Sequence, residues 1–289
     1  MQIIILLLEI FLTIAVIHLV SILVFIFLIN PNDPSTFTKI FPYQFIYNLL
    51  FSPHKPNKSY FSLRLDINTS EENVKENNAG VAELIRKADE HNIPITFSIA
   101  SEYIPALSQE VKEMIDQPQH EVISHSHIHS DITKQNQSEQ LRKSKRKLEN
   151  TFEKKIKGMV APNAKHDKAT LKAAKKNEIK YISAGSLGHI RYWSFPYPFK
   201  KNNVWLVGGS IPSDHYLYRQ KNKDPKEALQ IWKKAVTHKA EKNWFTQLEY
   251  HNFSTSEEKL EALEQLFKFI DSHENIKPIT QRELIHQLV

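Results

Sequence analysis

The chain has no cysteine among its 289 residues. That excludes disulfide scaffolds, thiolate zinc sites and cysteine nucleophiles. Glycine is scarce at six residues, and neither a G-x-G-x-x-G nor a Walker pattern occurs, so a nucleotide-phosphate loop is not expected. No lysine precedes Lys39, so the N-terminus lacks the basic start of a cleaved signal peptide. What is present instead is a long apolar run, an alternation of short strands with helices, and 14 histidines, several of them clustered. The formal charge of +6 favours anionic neighbours such as phospholipid headgroups, acidic glycans or nucleic acid, and does not choose among them.

Residues 3–29 are almost wholly apolar, broken mainly by Glu9, Thr13, His18 and Ser21. About 20 such residues cross a bilayer as a helix, so residues 1–29 are predicted to be an uncleaved, single-pass membrane anchor. Residues 30–59 carry Pro31, Pro34, Pro42, Pro53 and Pro56 and suit a juxtamembrane linker with a short amphipathic segment at 43–51. The main domain is expected over 60–289, on the extracytoplasmic side, although Lys39, Lys55 and Lys58 lean the other way under the positive-inside rule.

From residue 60 onward the periodicity predicts strands at 60–66, 93–99, 120–124, 158–161, 180–183, 204–207 and 245–250. Helices are predicted at 74–90, 105–115, 138–155, 167–176 with Asp167 as N-cap, 225–239 and 256–272. Residues 277–289 read as a short strand and a helix. This is an α/β rhythm repeated about seven times, which argues for a parallel sheet and most simply a closed or nearly closed β/α barrel. A doubly wound open sheet is the alternative.

In such a barrel the chemistry sits at the C-terminal ends of the strands. His125-Ser-His-Ile-His129 follows the third strand, and a spacing of four brings His125 and His129 to one side of a helical turn, where one cation takes a nitrogen from each. His127 should point elsewhere, while Ser126 and Ser130 orient the rings or hold the turn. Arg64, Asp66 and Asn68 share one face of the first strand by its period of two. His251 ends the strand 245–250, and Ala161-Pro162-Asn163 follows the fourth.

In this order the segments resemble the polysaccharide deacetylase family (carbohydrate esterase family 4) over about residues 59–289. The resemblance rests on His125-Ser126 with His129-Ser130, on Leu65-Asp66-Ile67-Asn68, and on Phe245-Thr-Gln-Leu-Glu-Tyr-His251 with the helix after it. It implies a distorted seven-stranded (β/α) barrel and metal-assisted amide hydrolysis. A divalent cation, zinc foremost with cobalt or nickel as alternatives, would be held by His125, His129 and Asn68. Asp66 would be the general base and His251 the acid that protonates the departing sugar amine. Asp214 would either orient His251 or cap its own loop or turn, and backbone N–H groups near Pro162 and Asn163 would help bind the oxyanion.

Two departures from the family pattern stand out. Asn68 replaces a carboxylate ligand, and Val160 in Met159-Val160-Ala161-Pro162 stands where an arginine usually holds the base. Arg64 is the candidate substitute. An alternative alignment makes Asp66 the metal ligand and leaves no base.

The implied substrate is an N-acetylated amino sugar of a cell-surface or cell-wall polysaccharide. A lipid-linked sugar is a second reading, and a catalytically silent glycan-binding pseudoenzyme a third. Tyr192, Trp193, Phe195, Tyr197, Trp205 and Tyr216 are candidates either to stack on sugar rings or to wall the core. The basic segment 141–157, with Arg142, Lys143, Lys145, Arg146 and Lys147, reads as a solvated or membrane-facing surface; no nucleic-acid motif accompanies it.

Overall fold

The computed structural model describes residues 13, 15–19, 57–68, 70–130, 136–184, 186–187, 198–201, 203–208 and 211–287. The chain divides into two units, Met1–Pro53 and His54–Val289. In the first unit Thr13 and residues 15–19 are helical, and among the described residues no helix is long and apolar enough to cross a membrane. The remainder of the expected anchor, the linker up to residue 56 and the amphipathic segment at 43–51 lie outside the described residues.

The second unit begins with β1 (Ser59–Ile67). Its alternate residues Phe61, Leu63, Leu65 and Ile67 are fully buried in the hydrophobic core, while Ser62, Arg64 and Asp66 occupy the opposite face and are also buried. Burial on both faces is the mark of a strand inside a parallel sheet covered by helices. The segment expected as one helix over 74–90 is two, α1 (Glu71–Glu76) and α2 (Asn78–Glu90). Asn77 breaks them by turning its side-chain amide back onto the Asn73 carbonyl.

After β2 (Ile95–Ile99) the expected helix 105–115 is also divided, into a 3₁₀ turn Ser101–Ala106 and α3 (Gln109–Ile115), whose N-cap Ser108 accepts the Val111 N–H. Next come β3 (Glu121–Ser124), α4 (Gln137–Phe152) and β4 (Gly158–Val160). The short β5 (Lys165–His166) precedes α5 (Lys168–Lys176), where Asp167 and Thr170 form a reciprocal capping box. β6 (Tyr181–Ala184), β7 (Ser186–Leu187), β8 (Phe199–Lys201) and β9 (Val204–Gly208) follow. A π-helical turn His215–Gln220, not expected from the sequence, leads to α6 (Pro225–Ala240). The chain ends with β10 (Phe245–His251), α7 (Glu257–Asp271), β11 (Ile276–Pro278) and α8 (Gln281–Gln287).

The main sheet runs β10-β1-β2-β3-β4-β6-β9-β8, with β11 added to the start of β1. Seven strands, β10 through β9, are mutually parallel, and β8 is antiparallel to β9. The sheet curls, yet β9 and β10 do not pair, so the closed ring that the alternation suggested is open here. The reason is local: β6 and β8 take both edges of β9, and among the described residues one backbone bond, from Ile211 N–H to the Gln247 carbonyl at 3.3 Å, bridges the gap. The α/β class agrees with expectation; with β11, also parallel to β1, the sheet has eight parallel strands, one more than the seven expected.

The concave interior of the sheet is polar and hydrogen-bonded across strands, although Ser62 Oγ, Ser98 Oγ and Gln281 Oε1 are buried without a partner among the described residues. Arg64 Nη1 donates to Ser183 Oγ at 2.8 Å, and Gln281 at the start of α8 donates to the same oxygen at 3.1 Å and to Gln247 Oε1 at 2.9 Å. Deeper, the Glu121 carboxylate accepts from Thr96, from the Tyr181 hydroxyl and from the Arg282 backbone N–H. Gly158 is required beside that tyrosine, because a Cβ there would overlap the Tyr181 ring. The end of the sheet opposite the candidate site is thus plugged by α8, and the site stands on a rigid column of hydrogen bonds.

Candidate active site

Parallel register sets Arg64 beside Glu249 and Asp66 beside His251 on neighbouring strands β1 and β10. The Arg64 guanidinium binds both Asp66 oxygens, Nε to Oδ1 and Nη2 to Oδ2, each at 2.8 Å, and Nη2 also reaches Glu249 Oε2 at 2.6 Å. Burial opposes charge on Arg64, and the two carboxylates more than reverse this, raising its pKa. Burial likewise pushes the Asp66 carboxyl up, but Arg64, followed by His125 and His251, brings it below the usual carboxylate range. Asp66 is therefore held ionised in one orientation.

His251 is the second half of this arrangement. Its Nδ1 lies 2.7 Å from Asp214 Oδ1, and its backbone N–H donates to Oδ2 of the same, wholly buried carboxylate. Its Nε2 points at the acids, 4.0 Å from Asp66 Oδ2 and 3.6 Å from Glu249 Oε1. Burial disfavours the imidazolium, yet Asp214, then Asp66 and Glu249, lift its pKa to about 9. At neutral pH it carries a proton to give.

His125 and His129 approach from the loop after β3, with ring centroids 4.9 Å apart. They are not on a helical turn as the spacing suggested. Ser126 adopts a left-handed φ of 71° and its N–H bonds back to Ser124 Oγ, so a folded loop brings the rings together. His125 Nδ1 faces the Val160 carbonyl at 3.2 Å, and its Nε2 faces the Asn68 side-chain amide at 3.0 Å. Burial drives His125 down to about 3 and lowers His129, in both cases against the pull of Asp66, so both rings are neutral. His127 turns away to Ser101 Oγ, 2.9 Å, which fits its reading as a bystander. Ser126 Oγ is buried without a partner among the described residues and does not orient the rings.

The family model described as polysaccharide deacetylase matches residues 56–182. Over those residues the chain is similar to polysaccharide deacetylases. No curated protein matches it. Solved structures share the fold: a Mycobacterium smegmatis protein assigned to the polysaccharide deacetylases is 15% identical with a TM-score of 0.69, covering 82% of this chain and 94% of its own. A CE4 family pseudoenzyme from Bacillus anthracis is 16% identical with a TM-score of 0.54, over 80% of this chain and 66% of that one. Puue allantoinase is 14% identical with a TM-score of 0.66, over 90% and 97%.

Arg64 holds Asp66 from within the same strand, where Val160 offers no charged group. Glu249 was missed as a site residue. Its signal was available, since it precedes His251 by two and therefore shares its strand face, but its partner Arg64 lies 185 residues away. Asp66, Glu249 and His251 offer ligand atoms within 4.8 Å of one another. Arg64 already bridges the two carboxylates, so this cluster reads as an ion-pair network. The residues that fit a divalent cation are His125, His129 and Asn68. The carbonyl at His125 Nδ1, the usual outer support of a ligating imidazole, places the lone pair on Nε2, where the Asn68 amide now sits; rotation of that carboxamide would offer its oxygen instead. All three donors are neutral.

Pro162 is buried, and Asn163, exposed with a left-handed φ of 55°, sits in the turn after β4. Trp205 lies under Lys200 and Tyr216 packs on the core, whereas Tyr192, Trp193, Phe195 and Tyr197 lie outside the described residues. The basic residues of α4 lie opposite its buried stripe of Leu141, Ser144, Leu148 and Phe152, with Lys143 paired to Glu139.

Proposed function

We propose that this chain is a metal-dependent hydrolase that removes N-acetyl groups from amino sugars of a cell-surface or cell-wall polysaccharide. The observation that carries the reading is the facing of two preorganised groups of opposite duty, an ionised Asp66 clamped by Arg64 and a protonated His251 held by Asp214, 4.0 Å apart. This is the acid and base pair that amide hydrolysis requires. Asp66 Oδ2 accepts a proton from water as the water oxygen bonds to the acetyl carbon. His251 then delivers its Nε2 proton to the sugar nitrogen as the C–N bond breaks, and acetate and the free amine leave. A divalent cation held by His125, His129 and Asn68 supplies Lewis-acid activation of water and carbonyl oxygen. Residues 1–29 anchor the protein to a membrane, with the hydrolase domain on the extracytoplasmic side.

A second reading, a glycan-binding pseudoenzyme, draws on Asn68. The amide at His125 Nε2 satisfies that nitrogen without a cation, and a neutral third donor weakens metal binding. Acetate release from a chitooligosaccharide and a peptidoglycan fragment by the full chain, supplied with zinc, cobalt or nickel, separates the two. Release that vanishes in Asp66→Ala supports the hydrolase, glycan binding without release under all three metals supports the silent form, and release that persists in Asp66→Ala sinks the mechanism.

A further inference from the structure

Phe253 lies just beyond His251 and stacks on it, with centroids 4.9 Å apart and planes 22° from parallel. The Arg219 guanidinium sits over the same ring at 3.7 Å from its centroid. Two groups that both stack on one ring take opposite faces, so His251, Phe253 and Arg219 form a column with Arg219 one ring layer outside the proton donor. His215 meets the edge of Phe253 and flanks His251 at 5.9 Å.

The seat of Arg219 is firm. It belongs to the π-helical turn His215–Gln220 that follows Asp214 directly, so the element that positions the acid's partner also positions the arginine. Leu217 anchors the turn in the core, the Tyr216 N–H bonds to Ser213 Oγ, and Tyr218 packs edge-on against the buried Trp232. A stacked guanidinium keeps its in-plane N–H groups free, and Arg219 is exposed and pairs with no carboxylate among the described residues. Lys221, also exposed, lies over Tyr216 and adds a second positive charge.

From this geometry we infer that Arg219 binds an oxyanion borne by the amino sugar on the leaving side of the scissile amide, which makes the substrate an acidic N-acylated glycan. The inference rests on the hydrolase reading for the side: His251 gives its proton to the nitrogen, so whatever lies beyond it contacts the amine and not the acyl group. It does not require Phe253 to stack on sugar, since both faces of that ring are taken. The fork of N–H donors matches a carboxylate or a phosphate, each accepting two parallel bonds.

The experiment compares kcat/KM of the full chain for three oligosaccharides of equal length: N-acetylglucosamine units alone, the same units carrying a carboxylate ether, and the same units carrying a phosphate monoester. Charge-assisted bonds predict a preference of about tenfold for one or both anionic glycans, expressed in KM, and which of them is preferred names the source of the oxyanion. Arg219→Gln collapses that ratio, and Arg219→Glu reverses it in favour of the neutral glycan. A residue that merely covers Phe253 moves all three substrates together. An anionic-to-neutral ratio unchanged in Arg219→Glu, or a wild-type preference for the neutral glycan, overturns the inference. If no glycan is hydrolysed, the hydrolase reading fails by itself, and calorimetric binding of the same three glycans then decides: an anion preference lost in Arg219→Glu upholds the role of Arg219, and its absence overturns it.

Discussion

The two flanks of the candidate site are held by different physics. On the β1 and β10 side, Arg64 holds Asp66 and Glu249 at 2.6–2.8 Å, and Asp214 holds His251 at 2.7–3.1 Å. On the β3 loop side, His125, His129 and Asn68 are neutral and rest on a carbonyl and an amide. The charged flank has a defined arrangement without any ligand, because each buried charge has its counter-charge. The neutral flank carries no charge of its own to offset a cation, which would weaken metal binding there.

The largest effect that tests this contrast is on the reaction. Asp66→Asn keeps the volume and loses the base, and acetate release measured with the chitooligosaccharide should fall by about 10²–10⁴. Next is stability. Arg64→Met strands Asp66 and Glu249 beside each other, and urea unfolding should show a loss of about 3–5 kcal/mol, the typical cost of breaking a buried pair. An equivalent loss in His125→Ala would erase the distinction between the flanks.

The neutral flank is probed by Asn68→Asp. Restoring one carboxylate should tighten zinc binding by about 10 to 100-fold in a calorimetric titration, and an unchanged affinity would remove Asn68 from the ligand set. The smallest effect is on pH. His251 is raised to about 9 from an ordinary 6.5, so its charged pair with Asp214 stabilises the fold fully below pH 6.5 and is lost as pH rises through 9. Activity that needs the protonated acid should fall over the same upper range, and Asp214→Asn should move that limb toward lower pH by about one unit or more. A pH profile identical in Asp214→Asn and wild type would leave Asp214 without a role in holding the proton.

Much of the fold was legible because its signals are local. Leu63, Leu65 and Ile67 against Arg64, Asp66 and Asn68 spell a strand with two chemically different faces. Asp167 before an apolar-periodic segment spells a helix start, and the structure places α5 there. The misreadings came where local and non-local forces compete. Asn77 interrupts a continuous helical pattern with one side-chain bond, and Ser126 takes a left-handed turn where a spacing of four suggested helix. In the site, Asp66, Asn68, His125, His129 and His251 were readable as residue types at strand ends. Glu249 was readable only from its place two residues before His251, and the stacked Arg219 was not readable, since it lies on a turn with no sequence signature.

By itself, then, the sequence determined the α/β alternation, the absence of thiol and nucleotide-loop chemistry, and the side chains presented at the strand ends, all properties of a few consecutive residues. Only the tertiary structure decided that Arg64 clamps Asp66, that β9 leaves the ring open, and that Asp214 holds His251. Those outcomes follow from the register between β1 and β10 and from burial, where desolvation makes each charge depend on the charge opposite it.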